Sequence, residues 1–422
     1  MIKKIAFSVG LGVLATSISA LSETFNFSNY SVKPTFAAGV LSDQGKYAVA
    51  WHSNQSEGWI VDNAGKSYQP FQPNTAVSNL QPSQILSLND DQFLVIYNKV
   101  GFGSYGGYGQ VYDGNGIMLG QTVKLTEKIS SNVYSTEDVW SAVLANGNIV
   151  VAWAEHLYDD DGELDGSSVY AQIFSPHLQK IGNVIEVSTP FSGRPGTYRS
   201  DTRVAAFENG DFLVSFEADK FYGRRFNDSG FPKRSEEFVI GDSASVDHEP
   251  SVLALSDSRY IVAWTTGTQG THETHIQVMN GNDKRIGSPV TLTHSGDTRV
   301  EIEGLTKRST RNFWVSYGVN INGLYTLASQ AFRLEEDNSL TSLQGDEGMI
   351  LGAAFDHADD EYNFIPQRAG ILLRYRGNRY VNVRLSDSKK LIGEQLIGAQ
   401  CEGAEGDWTQ LCALPAPKSE NN

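Results

Sequence analysis

The chain is poor in sulfur and in positive charge. Its 422 residues include 2 cysteines and 4 methionines, and 33 lysines and arginines stand against 49 aspartates and glutamates, for a formal net charge of -16. So few cysteines exclude a disulfide-dense scaffold. The acidic surplus, spread along the chain, excludes the basic footprint that nucleic acid or an anionic lipid surface requires, so neither is an expected partner. Past the N-terminus no apolar run approaches the roughly 20 residues of a spanning helix. The common catalytic signatures are missing too: there is no Gly-x-Ser-x-Gly elbow, no HExxH, no P-loop, no GxGxxG in a βαβ context and no SxDxGxTW box.

The first residues read as an address. Met1-Ile2-Lys3-Lys4 supplies a basic start, Ile5 to Leu14 an apolar stretch too short to cross a bilayer, and Ser17-Ile18-Ser19-Ala20 a small-residue cleavage site. Residues 1–20 are therefore expected to be a signal peptide and the mature protein to be secreted, whether periplasmic, extracellular or on the cell surface. Both cysteines, Cys401 and Cys412, lie at the other end. Export favours their oxidation, and a disulfide closing so short a loop contributes about 3 kcal/mol in the chain-entropy model. Residues 401–422 are expected to form a clipped tail.

What the chain has in quantity is a repeat. Seven short apolar runs each end in one large aromatic: AVAW at Trp51, LVIY at Tyr97, VVAW at Trp153, LVSF at Phe216, IVAW at Trp264, WVSY at Tyr317 and LLRY at Tyr375. Their spacing is that of one four-stranded propeller blade per repeat. The third copy parses as strands Val139–Leu144, Ile149–Trp153, Val169–Phe174 and Val184–Ser188, with an Asn146-Gly147 hairpin between the first two. Gln110, Gln172, Gln277 and Gln330 align in the third strand, with Arg224 and Asn382 as departures. Gly120, Gly182 and Gly287 follow ten residues after their glutamines, where a sharp turn into the outer strand is expected.

This pattern resembles the bacterial secreted β-propeller repeats of the form "VVAW … VYAQxFxxxG", over about residues 32 to 398. The resemblance implies architecture: an all-β, single seven-bladed propeller of four-stranded antiparallel blades at residues 21–400, with Thr24 to Tyr30 helping to close the ring. It implies no activity, because propellers host lectins, adhesion modules, hydrolases and lyases.

In such a fold the second-to-third and fourth-to-first loops share one face. Here those loops are long, chiefly Asn98 to Gly107, Glu155 to Ser168 and Pro190 to Thr202, which makes that face the functional one. HLYDDDGELDG sets Asp159, Asp161 and Asp165 around Gly162, oxygen ligands of the kind calcium takes. It lacks a Glu at position twelve of an EF-hand, and a solvated acidic tip is the alternative. Phe102, Tyr105 and Tyr108, with Tyr158, Arg194, Tyr198 and Arg199, offer rings to stack on sugars and forks to pair with carboxylate or sulfate; packing of the loops on each other is the alternative.

The function expected is a binding module for an extracellular or cell-surface glycan, acting as a monomer. A polysaccharide lyase or glycosidase is the second reading, with His156, Tyr198 and Arg199 as candidate catalytic groups and His248 behind them. A protein-interaction scaffold is the third. Calcium is the one expected cofactor.

Overall fold

A computed structural model describes residues 35–397 apart from 42–46, 53–55, 62–67, 72–79, 90, 100–105, 130–132, 159–163, 189–199, 242–249, 267–272, 293–299, 308, 322–323, 344–348, 356–364, 368–369, 375–379 and 386–390. The described residues are strands and turns with no helix, and so none long and apolar enough to cross a membrane. The strands are antiparallel and fall into seven sheets.

Sheet one holds β1 (Thr35–Val40), β2 (Tyr47–His52), β3 (Ser56–Val61) and β4 (Tyr68–Phe71). Sheet two holds β5 (Leu80–Asn89), β6 (Gln92–Lys99), β7 (Gly106–Asp113) and β8 (Met118–Lys124). Sheet three holds β9 (Val133–Val143), β10 (Ile149–Tyr158), β11 (Leu164–Phe174) and β12 (Lys180–Glu186). Sheet four holds β13 (Ser200–Ala206), β14 (Phe212–Glu217), β15 (Phe221–Phe226) and β16 (Phe238–Gly241). Sheet five holds β17 (Ser251–Ser256), β18 (Arg259–Thr266), β19 (Glu273–Asn280) and β20 (Arg285–Leu292). Sheet six holds β21 (Val300–Lys307), β22 (Asn312–Ile321), β23 (Leu324–Leu334), β24 (Leu340–Ser342) and β25 (Met349–Phe355). Sheet seven holds β26 (Ile365–Gln367), β27 (Gly370–Arg374), β28 (Tyr380–Leu385) and β29 (Leu391–Ile397).

Each sheet is a meander in chain order, apart from β25 of sheet six, which returns to pair with β23. The first strand of every sheet lies beside the first strand of the next, and β26 lies beside both β21 and β1. Radial sheets arranged around their first strands are the architecture of a β-propeller, which leaves only short, protected edges. Sheet six has five strands because its outer rank is split: β24 pairs with Phe332–Leu334 of β23, and β25 with the preceding stretch from Tyr325 to Ser329.

The repeated aromatic has a packing role. Along β6 the odd-numbered Phe93, Val95 and Tyr97 enter the core shared with sheet one, while Leu94 and Ile96 enter the core shared with sheet three. Along β10, Ile149, Val151 and Trp153 point at sheet two, and Val150 and Ala152 at sheet four. A strand buried on both faces reads as a continuous apolar run rather than an alternation. The terminal aromatics Tyr97, Trp153, Phe216, Trp264 and Tyr317 are all buried, filling the wedge between sheets.

The aligned glutamines repair a defect. Where β7, β11 and β19 meet their outer strands the ladder slips, between Gly109 and Val111, Ala171 and Ile173, and Ile276 and Val278. At the slip the outer strand turns through Gly120, Gly182 or Gly287, at φ of 76°, 69° and 66°, conformations that suit glycine. Gln172 Nε2 donates to Ile173 O at 2.9 Å and to Ile181 O at 2.8 Å, bridging the gap. Gln110 and Gln277 make the same pair of bonds. In β15 the same register position holds Arg224, whose longer guanidinium donates to Glu186 O and Val187 O of sheet three and to Ser235 O. Asn382 was expected at this position in sheet seven, but Val381, not Asn382, pairs with Leu373, so Asn382 belongs to the opposite face of its strand.

A five-residue turn recurs at one end of the sheets. Beginning at Asp113, Leu144, Ser175, Phe207, Asn227, Asn280 and Glu335, the first N–H donates to the fifth carbonyl and the fourth N–H donates back to the first carbonyl. The fourth residue is left-handed in all of them: Gly116, Gly147, Leu178, Gly210, Gly230, Asp283 and Asn338. That is the geometry of a hairpin turn closed by a bulge.

The strands run further than the sequence suggests. β10 continues to Tyr158 and β11 starts at Leu164, because Glu155 pairs with Ser168 and His156 with Ser167. Within the segments expected as loops, Glu155–Tyr158 and Leu164–Ser168 are strand, as are Asn98–Lys99 and Gly106–Gly107.

Candidate functional site

The two ends of the sheets differ. One is closed by the repeated five-residue turns; the other carries the loops that vary in length. The described residues at the loop end of sheets two to four therefore define the candidate site.

On sheet two, Tyr97 of β6 pairs with Tyr108 of β7, and Tyr108 pairs with Lys124 of β8. One pair further toward the loop, Lys99 stands opposite Gly106. Directly paired residues share a face, and residues two apart along a strand do too, so Tyr108, Lys124 and Lys99 belong to one face of the sheet. Tyr108 is half-buried, and a Cβ on Gly106 would come 3.3 Å from Lys124 Cε. Lys128, in the following loop, donates from Nζ to Val133 O at 3.1 Å. Partial burial holds the Lys124 ammonium below its ordinary pKa, with the positive charges of Lys128 and Lys99 acting in the same direction. Glu127, between them in sequence, pairs with Lys180 of β12 instead.

On sheet three, His156 is fully buried between its register partners Ser135 and Ser167. The Glu155 carboxylate, on the opposite face of β10, accepts the Ile129 N–H at 2.5 Å and so anchors the loop entering the sheet. Both side chains lie inside the sheet stack rather than at the loop surface where a catalytic histidine was expected.

Between sheets three and four, the Arg203 guanidinium lies 4.2 Å over the Trp140 ring, and its Nη1 donates to Thr202 O. Trp140 pairs with Ala152 and Arg203 with Ser215, equivalent positions on neighbouring first strands. Gln84 holds that position in β5 and joins Ser141 of sheet three through its side-chain amide. On the loop side of this position the pairing slips in β5, β9, β13 and β21 alike. In β13 the slip contains Asp201 at φ 54°, left-handed for a residue with a side chain.

At the loop end of sheet five, His275 lies with its ring centroid 5.5 Å from that of Trp264, and its two nitrogens contact Thr266 Oγ1 at 2.7 Å and Thr291 Oγ1 at 3.0 Å. Burial lowers its pKa from the ordinary histidine value, outweighing the opposite pull of Glu273.

Of the residues singled out from sequence, Tyr108 and His156 are described with their side chains, and the structure does not bring them together: they occupy different sheets. Tyr158 and Asp165 are described as backbone positions in β10 and β11. Phe102, Tyr105, Asp159, Asp161, Arg194, Tyr198, Arg199, His248, Cys401 and Cys412, with the signal segment and Thr24 to Tyr30, lie outside the described residues. Among the described residues no three metal-ligating side chains cluster. Sequence reasoning missed Lys99, Lys124 and Lys128, whose common trait is a cation at or just past a strand end in an acidic chain, and Arg203, whose partner Trp140 becomes visible only through strand register.

No protein-family model matches the chain, and no curated protein does. Among solved structures it is similar to a protein of unknown function from Dyadobacter fermentans, at 13% identity and a TM-score of 0.48 over 74% of this chain and 97% of that one. It is also similar to an alpha-L-arabinanase from Penicillium chrysogenum, at 14% identity and a TM-score of 0.46 over 70% of this chain and 92% of that one. An alpha-L-arabinofuranosidase from Fusarium graminearum aligns at 12% identity and a TM-score of 0.47, over 75% and 98% of the two chains.

Proposed function

We propose that the protein is an exported, monomeric, seven-bladed propeller that binds a glycan on its loop face. The observation that supports this reading is the contrast between the two ends of the sheets. The turn end is built from one repeated hairpin, whereas the loop end of sheet two carries, on the glycine-rich strand β7, the half-buried ring of Tyr108, part of which packs against the core shared with sheet one. An aromatic ring seated on a rigid strand offers a flat apolar face at low entropic cost, which suits a sugar ring. In this reading Phe102, Tyr105, Tyr158 and Tyr198 extend the platform, Arg194 and Arg199 supply hydrogen-bonding forks, calcium at Asp159, Asp161 and Asp165 fixes the neighbouring loop, and a Cys401–Cys412 disulfide clips the tail.

A glycan and polysaccharide array read for both retention and released sugars tests the reading. Retention without turnover is the expected result, and Tyr108→Ala should weaken it by on the order of 1 kcal/mol with little change in salt dependence. Turnover by the parent protein would replace the binding role with a glycosidase or lyase role. Retention of no glycan at all would overturn the assignment.

A further inference from the structure

We propose that Lys99, Lys124 and Lys128 form a cationic subsite for the carboxylate or sulfate groups of an acidic glycan, adjoining the ring of Tyr108. The proposal rests on the glycan reading and adds the substrate class to it.

The argument begins with register. Lys124 is the direct cross-strand partner of Tyr108, and Lys99 stands opposite Gly106, two residues from Tyr108 on the same strand. Gly106 has no side chain to separate them, and the stem of Lys124 passes over it. Lys128 closes the group from the loop that follows β8, steered by its bond to Val133 O. Register and the following loop thus place the three lysines at one end of sheet two, near enough for the charges of Lys128 and Lys99 to act on Lys124.

Convergence of like charge is unfavourable unless something opposite in sign offsets it. In a chain with 49 acidic residues against 33 basic ones, carboxylates to pair with lysines are plentiful. Among the described residues none pairs with Lys99 or Lys124, and the nearest in sequence, Glu127, is taken by Lys180. Burial first, and then the charges of Lys128 and Lys99, lower the pKa of Lys124. A bound anion would restore the balance, and a lysine ammonium meets carboxylate and sulfate oxygens as a compact point charge with three donors. Tyr108 beside it would hold the sugar ring. The combination of one stacking ring and several cations selects a chain carrying both a pyranose or furanose face and fixed negative charge. Because the rest of the surface is acidic, the attraction must be local, and added salt should weaken it within the Debye length of about 8 Å at physiological ionic strength.

The test measures binding of full-length protein to three probes: polygalacturonate for carboxylate, heparin for sulfate and neutral arabinan. The parent is expected to bind at least one of the first two, more weakly as salt rises. Each of Lys99→Gln, Lys124→Gln and Lys128→Gln should lower that affinity roughly tenfold, the equivalent of one charge-assisted hydrogen bond. The corresponding Lys→Arg variants should retain it, and unchanged melting temperatures should show that the fold is intact. Equal binding of acidic probes by the parent and a triple Lys→Gln variant, or no binding of either by the parent, would overturn the lysine subsite. Retention of arabinan by that triple variant would leave the glycan reading standing while the subsite fell. Binding of duplex DNA as tight as that of the acidic glycans would overturn the glycan specificity and leave a general anion site.

Discussion

The carboxylate of Asp283 lies 2.9 Å from Nε of Arg225, joining the five-residue turn of sheet five to the third strand of sheet four through two side chains that are almost wholly buried. Asp283 is the left-handed fourth residue of its turn, at φ 59°. The same turn position makes the corresponding contact elsewhere. Gly116 sits against Phe71, Leu178 approaches Gly109, Gly230 sits against Ile185, and Asn338 Oδ1 accepts from Arg259 Nε. In each case the turn of one sheet leans on the sheet before it, so one backbone conformation is reused with a glycine, an apolar plug or a polar latch.

Around Arg225 the latch is a network. Tyr260 donates its hydroxyl to Asp283 at 3.0 Å, the guanidinium lies 4.0 Å over the Phe207 ring, and Asp211 is held by Lys233 at 3.2 Å. Burial pushes the Asp283 carboxyl above the ordinary range, against the opposing pull of Arg225 and the Tyr260 hydrogen bond, and burial with the Asp283 charge pushes Tyr260 upward too. Removing one member of a buried pair strands the other charge, which costs about 3–5 kcal/mol. Asp283→Leu should show that loss in denaturant unfolding. Adding Arg225→Met should recover much of it, since Leu178 demonstrates that leucine is accommodated at the equivalent turn position and Asp211 keeps Lys233 as its partner. A double variant no more stable than the single one would mean that the pair contributes more than the cost of its own desolvation.

His275 gives the fold a pH dependence of known sign. Its folded pKa lies below the unfolded value of about 6.5, so the unfolded chain takes up the proton first. The stabilising contribution of the neutral ring is fully present above the unfolded pKa and is lost as pH falls through the window between that value and the lower folded one. Thr266 and Thr291, one on each nitrogen, bind the neutral ring by having one hydroxyl donate and the other accept. The melting temperature of the parent should therefore fall more steeply from pH 7.5 to pH 5 than that of His275→Gln. Parallel curves for the two proteins would assign the acid sensitivity to other groups.

The fold was legible in the sequence where one physical requirement repeats. Tyr97, Trp153, Phe216, Trp264 and Tyr317 each fill an inter-sheet wedge, so their spacing reports the sheets directly. Gln110, Gln172 and Gln277 with their glycines were equally readable, because a slipped ladder needs both the turn and an amide to bridge it. Strand length was not legible. His156 looks like a loop residue beside a polar stretch, and only the pairing of β10 with both β9 and β11 shows that it is buried between two serines. The lysine group was hidden for a related reason: local composition around Lys99, Lys124 and Lys128 is unremarkable, and only the register of β6, β7 and β8, with the Lys128 bond to Val133 O, places them at one end of the sheet.

The acidic segment between β10 and β11 carries the remaining prediction. β10 and β11 are paired up to Tyr158 and Leu164, and residues 159–163 lie between them in sequence. Asp165 is the second residue of β11. Calcium accepts six to eight oxygens in flexible geometry, backbone carbonyls and water among them. Isothermal titration of calcium should show one site, and Asp161→Ala should weaken it by about tenfold or more through loss of both an oxygen and a negative charge. Asp161→Asn should fall between the two, because it keeps the oxygen and removes the charge. Calcium should also raise the melting temperature of the parent by mass action and leave that of Asp161→Ala unchanged. Equal uptake by all three proteins would reduce the segment to a solvated turn and remove calcium from the account of the loop face.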